Sequence, residues 1–339
     1  MASPVTPLRP AQLGGSQAVV CDVAAGLTRR GHDVRLYCTE GSEVPGVRLS
    51  TVPAPEDAEL ALVMPAAGSP APAPAPGVAR AIEAMYAAIV SWAPDVISQH
   101  AFDAPALEGS HGTPVLHTLH LPPVVPAVTE AASRIPPDRL ATVSLSNLAA
   151  WRDAGVAVGH VLRNGVEGLD LPLDPPERVA LIAGRISPEK GIEDGLRAAR
   201  SAGLPVRVAG APYDPAYRVD LDGAADLGQL TRRRLRAVMA GSAVTVCAVR
   251  WDEPFGMVAA EAQMAGCPVA AYGRGAMPEV IEDGVSGVLA KPGDVKALAR
   301  AIEACLLLDR ARVRASARRR LNLDGAVEGY EKTLAKVAS

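Results

Sequence analysis

Four short apolar runs punctuate the second half of the chain: RVALIAG (178–184), PVRVAG (205–210), AVTVCAV (243–249) and PVAAYG (268–273). Helical patterns separate them, starting at Gly191, Arg232 and Gly256, and a short helix precedes a last run, GVLA (287–290). Strands that alternate with crossover helices predict a parallel sheet with helices on both faces.

The first half carries the same α/β alternation. A helix over 16–30 places Val19, Val20, Val23, Ala24 and Leu27 on one face and stops at Gly31. A second helix is expected over 78–92, and strands in DVRLYC, DVISQH, PVLHTLH, ATVSLS and HVLRN, together one doubly wound sheet. Such a sheet normally opens with a buried strand feeding a glycine-rich turn, yet only MASPVTPLRPAQL precedes Gly14 and Gly15. Either the first strand is very short and irregular, or this start lies downstream of the true one. A chain of 339 residues suits two cores of roughly 150 residues each, with a cleft between them as the place to look for a site. The segment NGVEGLDLPLDPPER is rich in Pro, Gly and Asp, so the linker is placed over 168–177. The proline-rich stretch over 68–77 reads as an exposed loop.

A formal net charge of -3 leaves no electrostatic footprint for nucleic acid, and the basic run TRRRLRAVMAG reads as the exposed face of an amphipathic helix. Five cysteines without a CxxC pair suit a reducing cytosol, and the expected localisation is cytoplasmic. No apolar stretch is long enough for a membrane span, and no charged flank precedes an apolar core at the start. Few aromatic residues beside abundant Ala, Arg and Pro look like a GC-rich bacterial coding bias.

The candidate chemistry sits where strands end and helices begin. In GRISPEKG, Gly184 permits a tight turn, Arg185 and Lys190 place two cations at its mouth, and the next helix offers free N–H groups. That is a diphosphate cradle, or else an ordinary capped helix start with surface charges. DEPFGMVAAEAQMAG repeats the geometry: amides of Phe255, Gly256 and Met257 open a helix, Glu261 can accept two hydrogen bonds from a vicinal diol such as a ribose, and Glu253 precedes the turn. The plainer alternative makes Glu261 a solvated helix residue and Glu253 a charge answering the helix dipole. The Gly14-Gly15 pair permits close backbone approach, and Ser16 can cap the helix, but the spacing is not GxGxxG, which tells against a dehydrogenase. Among the histidines, His117 and His120 point to opposite faces of one strand, so converging metal ligands are not expected; His120 at the strand's C-terminal end is the imidazole expected to face the cleft, and His117 packs inward. Asp220 and Asp222 form an Asp-x-Asp pair in a polar connection with no glycine-rich turn beside it, read as a solvated loop. No GxSxG supports a serine nucleophile.

Together, the glycine pair before the first helix, Gly-Arg and then Lys-Gly at the first turn of the second domain, and Glu-Pro-Phe-Gly with a glutamate eight positions on resemble the retaining glycosyltransferases of the GT-B fold, family 4. The resemblance spans nearly the whole chain and is strongest from Val179 to about Arg300, with AGCPVAAY, GAMPEVIEDGVSGVLAKPGD and VLRNGVEGLD. It implies two Rossmann-like domains facing a central cleft, an acceptor-side domain over 1–170 and a nucleotide-sugar domain over 171–310, with the last helices, about 311–339, rejoining the first. By the same resemblance Arg185 and Lys190 neutralise a nucleotide diphosphate, Gly256 and Met257 assist through their amides, Glu261 holds the ribose, Glu253 contacts the transferred sugar, and His120 lies near the reacting carbon. Gly14 and Gly15 close over the phosphates, and Gly184, Phe255 and Val258 complete the donor set. Neither metal nor cofactor is implied. The partners are a nucleotide-diphosphate sugar and a small-molecule, lipid-linked or natural-product acceptor. The region around APYDPAYRVDLDGAADLGQL is shorter than the family's usual stretch there, which leaves the base open. Competing readings are a nucleotide-sugar-binding protein without turnover and a GT-B fold epimerase or hydrolase.

Overall fold

The computed structural model describes residues 1–9, 14–61, 75–109, 112–168, 170–212, 217–221 and 223–339. Most of the proline-rich stretch, Gln12 of the glycine-pair segment and Asp222 lie outside the described residues. The chain divides into two compact units, one built on Ser16–Arg163 with Ala326–Ser339 and the other on Asn164–Gly325.

In the first unit β1 (Arg35–Thr39) pairs in parallel with β2 (Arg48–Val52), while β3 (Ile97–Gln99), β4 (Val115–Leu119), β5 (Leu140–Thr142) and β6 (His160–Val161) form a second parallel sheet in that order. The single sheet expected for this half is therefore present as two ladders. Met1 and Ala2 lie between them: the Met1 amine donates to the Ser98 carbonyl at 2.6 Å, the His100 amide donates to the Met1 carbonyl at 3.0 Å, and the Ala2 amide donates to the Tyr37 carbonyl at 2.9 Å. Two residues satisfy their neighbours without amounting to a strand, which is why the sheet reads as divided. The strand expected in ATVSLS also ends early, at Thr142, because the Ser144 hydroxyl accepts from the Asn147 amide at 2.9 Å and caps the helix Leu145–Asp153.

Two large aromatic side chains in the core of this unit have their polar ends satisfied. Trp151 is fully buried, and its indole N–H donates to the Leu121 carbonyl at 3.0 Å; the Tyr86 hydroxyl donates to the Ala106 carbonyl at 2.6 Å. A cavity of about 540 Å³ in this unit is walled mainly by apolar side chains, among them Leu27, Ile89 and Trp92, and none of the predicted site residues lines it.

The second unit is one six-stranded parallel sheet: β7 (Glu177–Ala183), β8 (Val206–Ala209), β9 (Ala225–Asp226), β10 (Ser242–Cys247), β11 (Val269–Tyr272) and β12 (Gly287–Ala290), in the order β12-β11-β10-β7-β8-β9. Every residue of β10 and β11 is buried, as strands covered on both faces must be. The core joins Ile182, Val208 and Val246 to Ile192 and Leu196 of the helix Ile192–Ser201 and to Leu298 and Ile302 of the helix Val295–Cys305. Strand order runs one way from β7 through β8 and the other way from β10 through β11. A switch point therefore falls between β7 and β10, and in open sheets of this kind ligands bind beyond the carboxyl ends of the strands there. Both motif-bearing turns leave the sheet at that point.

The helix Arg310–Arg320 belongs to the second unit, where Val313 and Ala317 are buried and Arg314 donates to the carbonyls of Leu171 (2.6 Å) and Ala265 (3.0 Å). The return to the first unit begins at Ala326, within the helix Leu323–Ala338. Val327 there fills a notch at Gly26, where a Cβ would come within 2.4 Å of its Cγ2.

Removing the largest of these core anchors has a calculable effect. Trp151→Ala should destabilise the first unit by about 3–5 kcal/mol, seen as a lower denaturant midpoint for its transition with the second unit's transition unmoved.

Candidate functional site

At the switch point the turn after β7 runs through Gly184, Arg185 and a single 3-10 turn, Pro188–Lys190, into the helix Ile192–Ser201. Gly191 makes that junction possible. Its φ is 63°, and a Cβ there would lie 2.0 Å from the Ala248 carbonyl oxygen. The backbone consequently passes close against the loop after β10, and the Arg250 amide donates to the Glu189 carbonyl at 2.8 Å. Asp194, buried in the first turn of the helix, clamps the same loop by accepting from the Arg250 guanidinium at 2.9 Å and from the Tyr272 hydroxyl at 3.4 Å. Burial pushes the Asp194 carboxyl up, but its hydrogen bonds to Arg250 and Arg197 outweigh that and hold it below the usual range.

Two turns fixed in this way bring the predicted residues together. Lys190 Nζ lies 2.7 Å from Glu253 Oε2, both largely buried, and the Trp251 indole N–H donates to the same oxygen at 2.7 Å. The Lys190 ammonium also stands 5.4 Å from the centre of the Trp251 ring. Glu253 is thus a partner of Lys190 and not simply a charge beside a helix end. Gly256, at φ 98°, turns the chain into the helix Met257–Met264, whose first amides have no side-chain cap. A Cβ on Gly184 would lie 3.9 Å from Val258, so the mouth of the first turn faces the start of this helix. Phe255 is buried beneath it.

Glu261 is buried, and its Oε1 accepts from Arg232 Nε at 2.5 Å. The solvated-helix alternative for Glu261 is therefore wrong: a carboxylate on the inner face of this helix needs a cation, and the helix Arg232–Gly241 supplies it. The basic run is accordingly not a purely exposed face, since Arg236 is also buried and donates to the Glu167 carbonyl. Arg185 bonds within its own turn, to Glu189 at 3.2 Å, and Ser187 shares that carboxylate at 2.6 Å. Sequence reasoning missed Arg232, Trp251, Arg250 and Asp194. Only the Trp-x-Glu spacing of Trp251 and Glu253 was a local signal.

His120 lies in the first unit just after β4, buried, with Nε2 2.9 Å from His100 Nδ1. Gly14 precedes and Gly15 opens the helix Gly15–Arg29. His117 is buried, as expected of the opposite face of β4. Burial lowers His120 and His117 to about 4, and takes His100 well below the ordinary histidine value, helped by the neighbouring His120. Among the described residues no three His, Cys, Asp or Glu side chains are grouped to hold a metal ion, and no helix is long and apolar enough to cross a membrane.

The profile of the family described as Glycosyl transferases group 1 matches residues 170–321, and that of Glycosyltransferase Family 4 matches residues 13–181. Together the two profiles span residues 13–321, so the matches to glycosyltransferase families run over most of the chain. It is 36% identical over 151 residues to a D-inositol 3-phosphate glycosyltransferase of Mycobacterium marinum (40% of this chain, 32% of that protein) and 28% identical over 256 residues to a glycogen synthase of Mycobacterium tuberculosis (64% and 61%). The matches thus span about a third to three fifths of these curated relatives. Among solved structures, Anabaena HepE in complex with UDP and glucose superposes with a TM-score of 0.71 at 19% identity, covering 96% of this chain and 97% of that one. Structural neighbours of this kind carry the GT-B fold, and the parallel sheets of this chain conform to it.

The buried histidines make the stability of the first unit depend on pH. A folded-state value of about 4 for His117 and His120 lies below the unfolded 6.5, so the unfolded chain binds more protons between those values. Stability is then full above pH 6.5 and falls as pH drops toward 4, by up to about 1.4 kcal/mol per pH unit for each histidine. Asp103, which burial raises to about 6, opposes this over part of the range. With three histidines and the Met1 amine, which burial lowers to about 5, against one carboxyl, the first unit's urea midpoint should fall between pH 7 and pH 5, and His117→Phe should flatten that slope.

Proposed function

We propose that this protein is a glycosyltransferase that moves a hexose-type sugar from a nucleoside-diphosphate sugar to an acceptor hydroxyl with retention of anomeric configuration and without a metal ion. The observation that carries the proposal is the Lys190–Glu253 pair at the switch point, beside an uncapped helix N-terminus. Lys190 has three donors and Glu253 takes one, which leaves donors for phosphate oxygens. Glu253 Oε2 receives both Lys190 and Trp251, leaving Oε1 to accept from a sugar hydroxyl. Glu261 spends Oε1 on Arg232 and keeps Oε2 for a ribose hydroxyl.

Breaking the anomeric bond builds negative charge on the departing phosphate and positive charge on the sugar ring. Cations and helix amides fixed at the phosphate stabilise that state more than the ground state, and their orientation before binding spares reorganisation during reaction. The acceptor hydroxyl attacks from the face the phosphate leaves, and a phosphate oxygen takes its proton. HepE, solved with UDP and with UDP-glucose, supports a uridine donor for the shared fold. The acceptor is a hydroxyl of a small-molecule, natural-product or lipid-linked compound, and the reaction is placed in the cytoplasm. Binding without turnover is the weaker reading, because Lys190, Glu253 and Glu261 are all intact.

Thermal-shift titration with UDP, GDP, ADP and dTDP and their sugar conjugates, with and without chelator, tests the donor. Stabilisation by one nucleoside diphosphate, unchanged by chelator, is expected, and no response to any would sink the proposal. Given an acceptor, Lys190→Ala and Glu253→Ala should each lower kcat by about 10²–10³-fold, while Glu261→Ala should mainly weaken nucleotide binding, by about tenfold. Near-native turnover in the first two variants, with unchanged circular dichroism, would refute their placement in the site.

A further inference from the structure

In the first unit three polar groups form a line: Ser98 Oγ lies 2.9 Å from His100 Nε2, and His100 Nδ1 lies 2.9 Å from His120 Nε2. The two imidazoles stack with centroids 5.2 Å apart and planes 26° from parallel, and the Tyr330 ring packs against His100 at 5.7 Å. All three rings are buried. Both imidazoles are neutral at neutral pH, since burial disfavours the cation on each and His120 disfavours it further on His100. Each neutral ring then has one N–H and one bare nitrogen, so the contact between them fixes which is which.

Ser98 sets the direction. Its hydroxyl can donate to His100 Nε2 or accept from it, and with Ser98 as donor its single proton goes to that nitrogen. In that case His100 carries its own proton on Nδ1 and donates it to His120 Nε2. His120 is left with its proton on Nδ1, the opposite of the Nε2–H form that a free imidazole side chain prefers. Among the described residues Nδ1 of His120 has no protein partner.

We infer that Ser98 is the donor in this line and that His100 is a positioning residue that locks His120 in the Nδ1–H tautomer, so that His120 meets its ligand as a neutral hydrogen-bond donor to an oxygen. This rests on the proposed reading of His120 as a contact to the transferred sugar. It adds that His120 can donate to a hydroxyl or ring oxygen and cannot act as a base through Nδ1. A neutral donor also places no cation beside a sugar ring that is itself becoming positive.

The tautomer is read directly by long-range proton–nitrogen NMR on the full chain labelled with ¹⁵N in its histidines, without nucleotide, so failure of donor binding does not bear on it. In the native protein, His120 should show a protonated Nδ1 and a bare Nε2, with a scalar coupling across the hydrogen bond to His100 Nδ1. His100→Gln, whose amide can still donate to Nε2, should keep that pattern, whereas His100→Phe should return His120 to the Nε2–H form. Ser98→Ala should abolish the single tautomer. A proton on Nε2 of His120 in the native protein overturns the inference by itself, whatever the variants do. An unchanged Nδ1–H form in a folded His100→Phe protein would overturn the role of His100.

Discussion

The close passage of the turn after β7 against the loop after β10 is what the rest of the candidate site depends on. At Gly191 the chain has no room for a side chain, because the Ala248 carbonyl oxygen occupies the place a Cβ would take. That contact allows the Arg250 amide to reach Glu189, sets Asp194 against Arg250, and delivers Lys190 to Glu253. A larger residue at 191 would strain the backbone and push the two loops apart. The geometry of the candidate site is a by-product of how tightly two neighbouring parallel strands can be followed by their turns.

Much of this fold can be read from local pattern. Each of the apolar runs in the second half proves to be a strand, because strands covered on both faces have no polar positions to confuse the reading. The first half is less transparent. β2, RLSTV, is half-exposed and mixed in polarity, so its place depends on pairing with β1 and not on its own composition. ATVSLS looks like one strand until the cap at Ser144 is taken into account, a contest between β-propensity and a hydroxyl that satisfies a helix amide.

The site divides along the same line. Lys190, Glu253 and Glu261 were legible because glycine turns and strand ends mark them locally. Their partners were not. Arg232 stands 29 residues before Glu261 and looks like one of several arginines on a helix surface. Asp194 and Arg250 are 56 residues apart. His100 and His120 sit at the ends of adjacent strands, and only the register of β3 on β4 brings their rings together. Pairings of this kind are products of tertiary packing, which periodicity does not encode.

The paired charges also bear on how a diphosphate would be held. Lys190, Arg185, Arg232 and Arg250 face Glu253, Glu189, Glu261 and Asp194, so four positive charges and four negative ones leave a formal sum of zero. A neutral cluster exerts little pull on an anion beyond a Debye length of about 8 Å. Attraction therefore has to come at short range, from N–H groups already pointing outward: the spare donors of Lys190 and the uncapped amides after Gly256. The carboxylates serve this by keeping each cation in one rotamer before the ligand arrives, which lowers the entropy lost on binding. They also keep buried cations from standing unpaired when the site is empty, which a cluster of arginine and lysine alone at this depth would not tolerate.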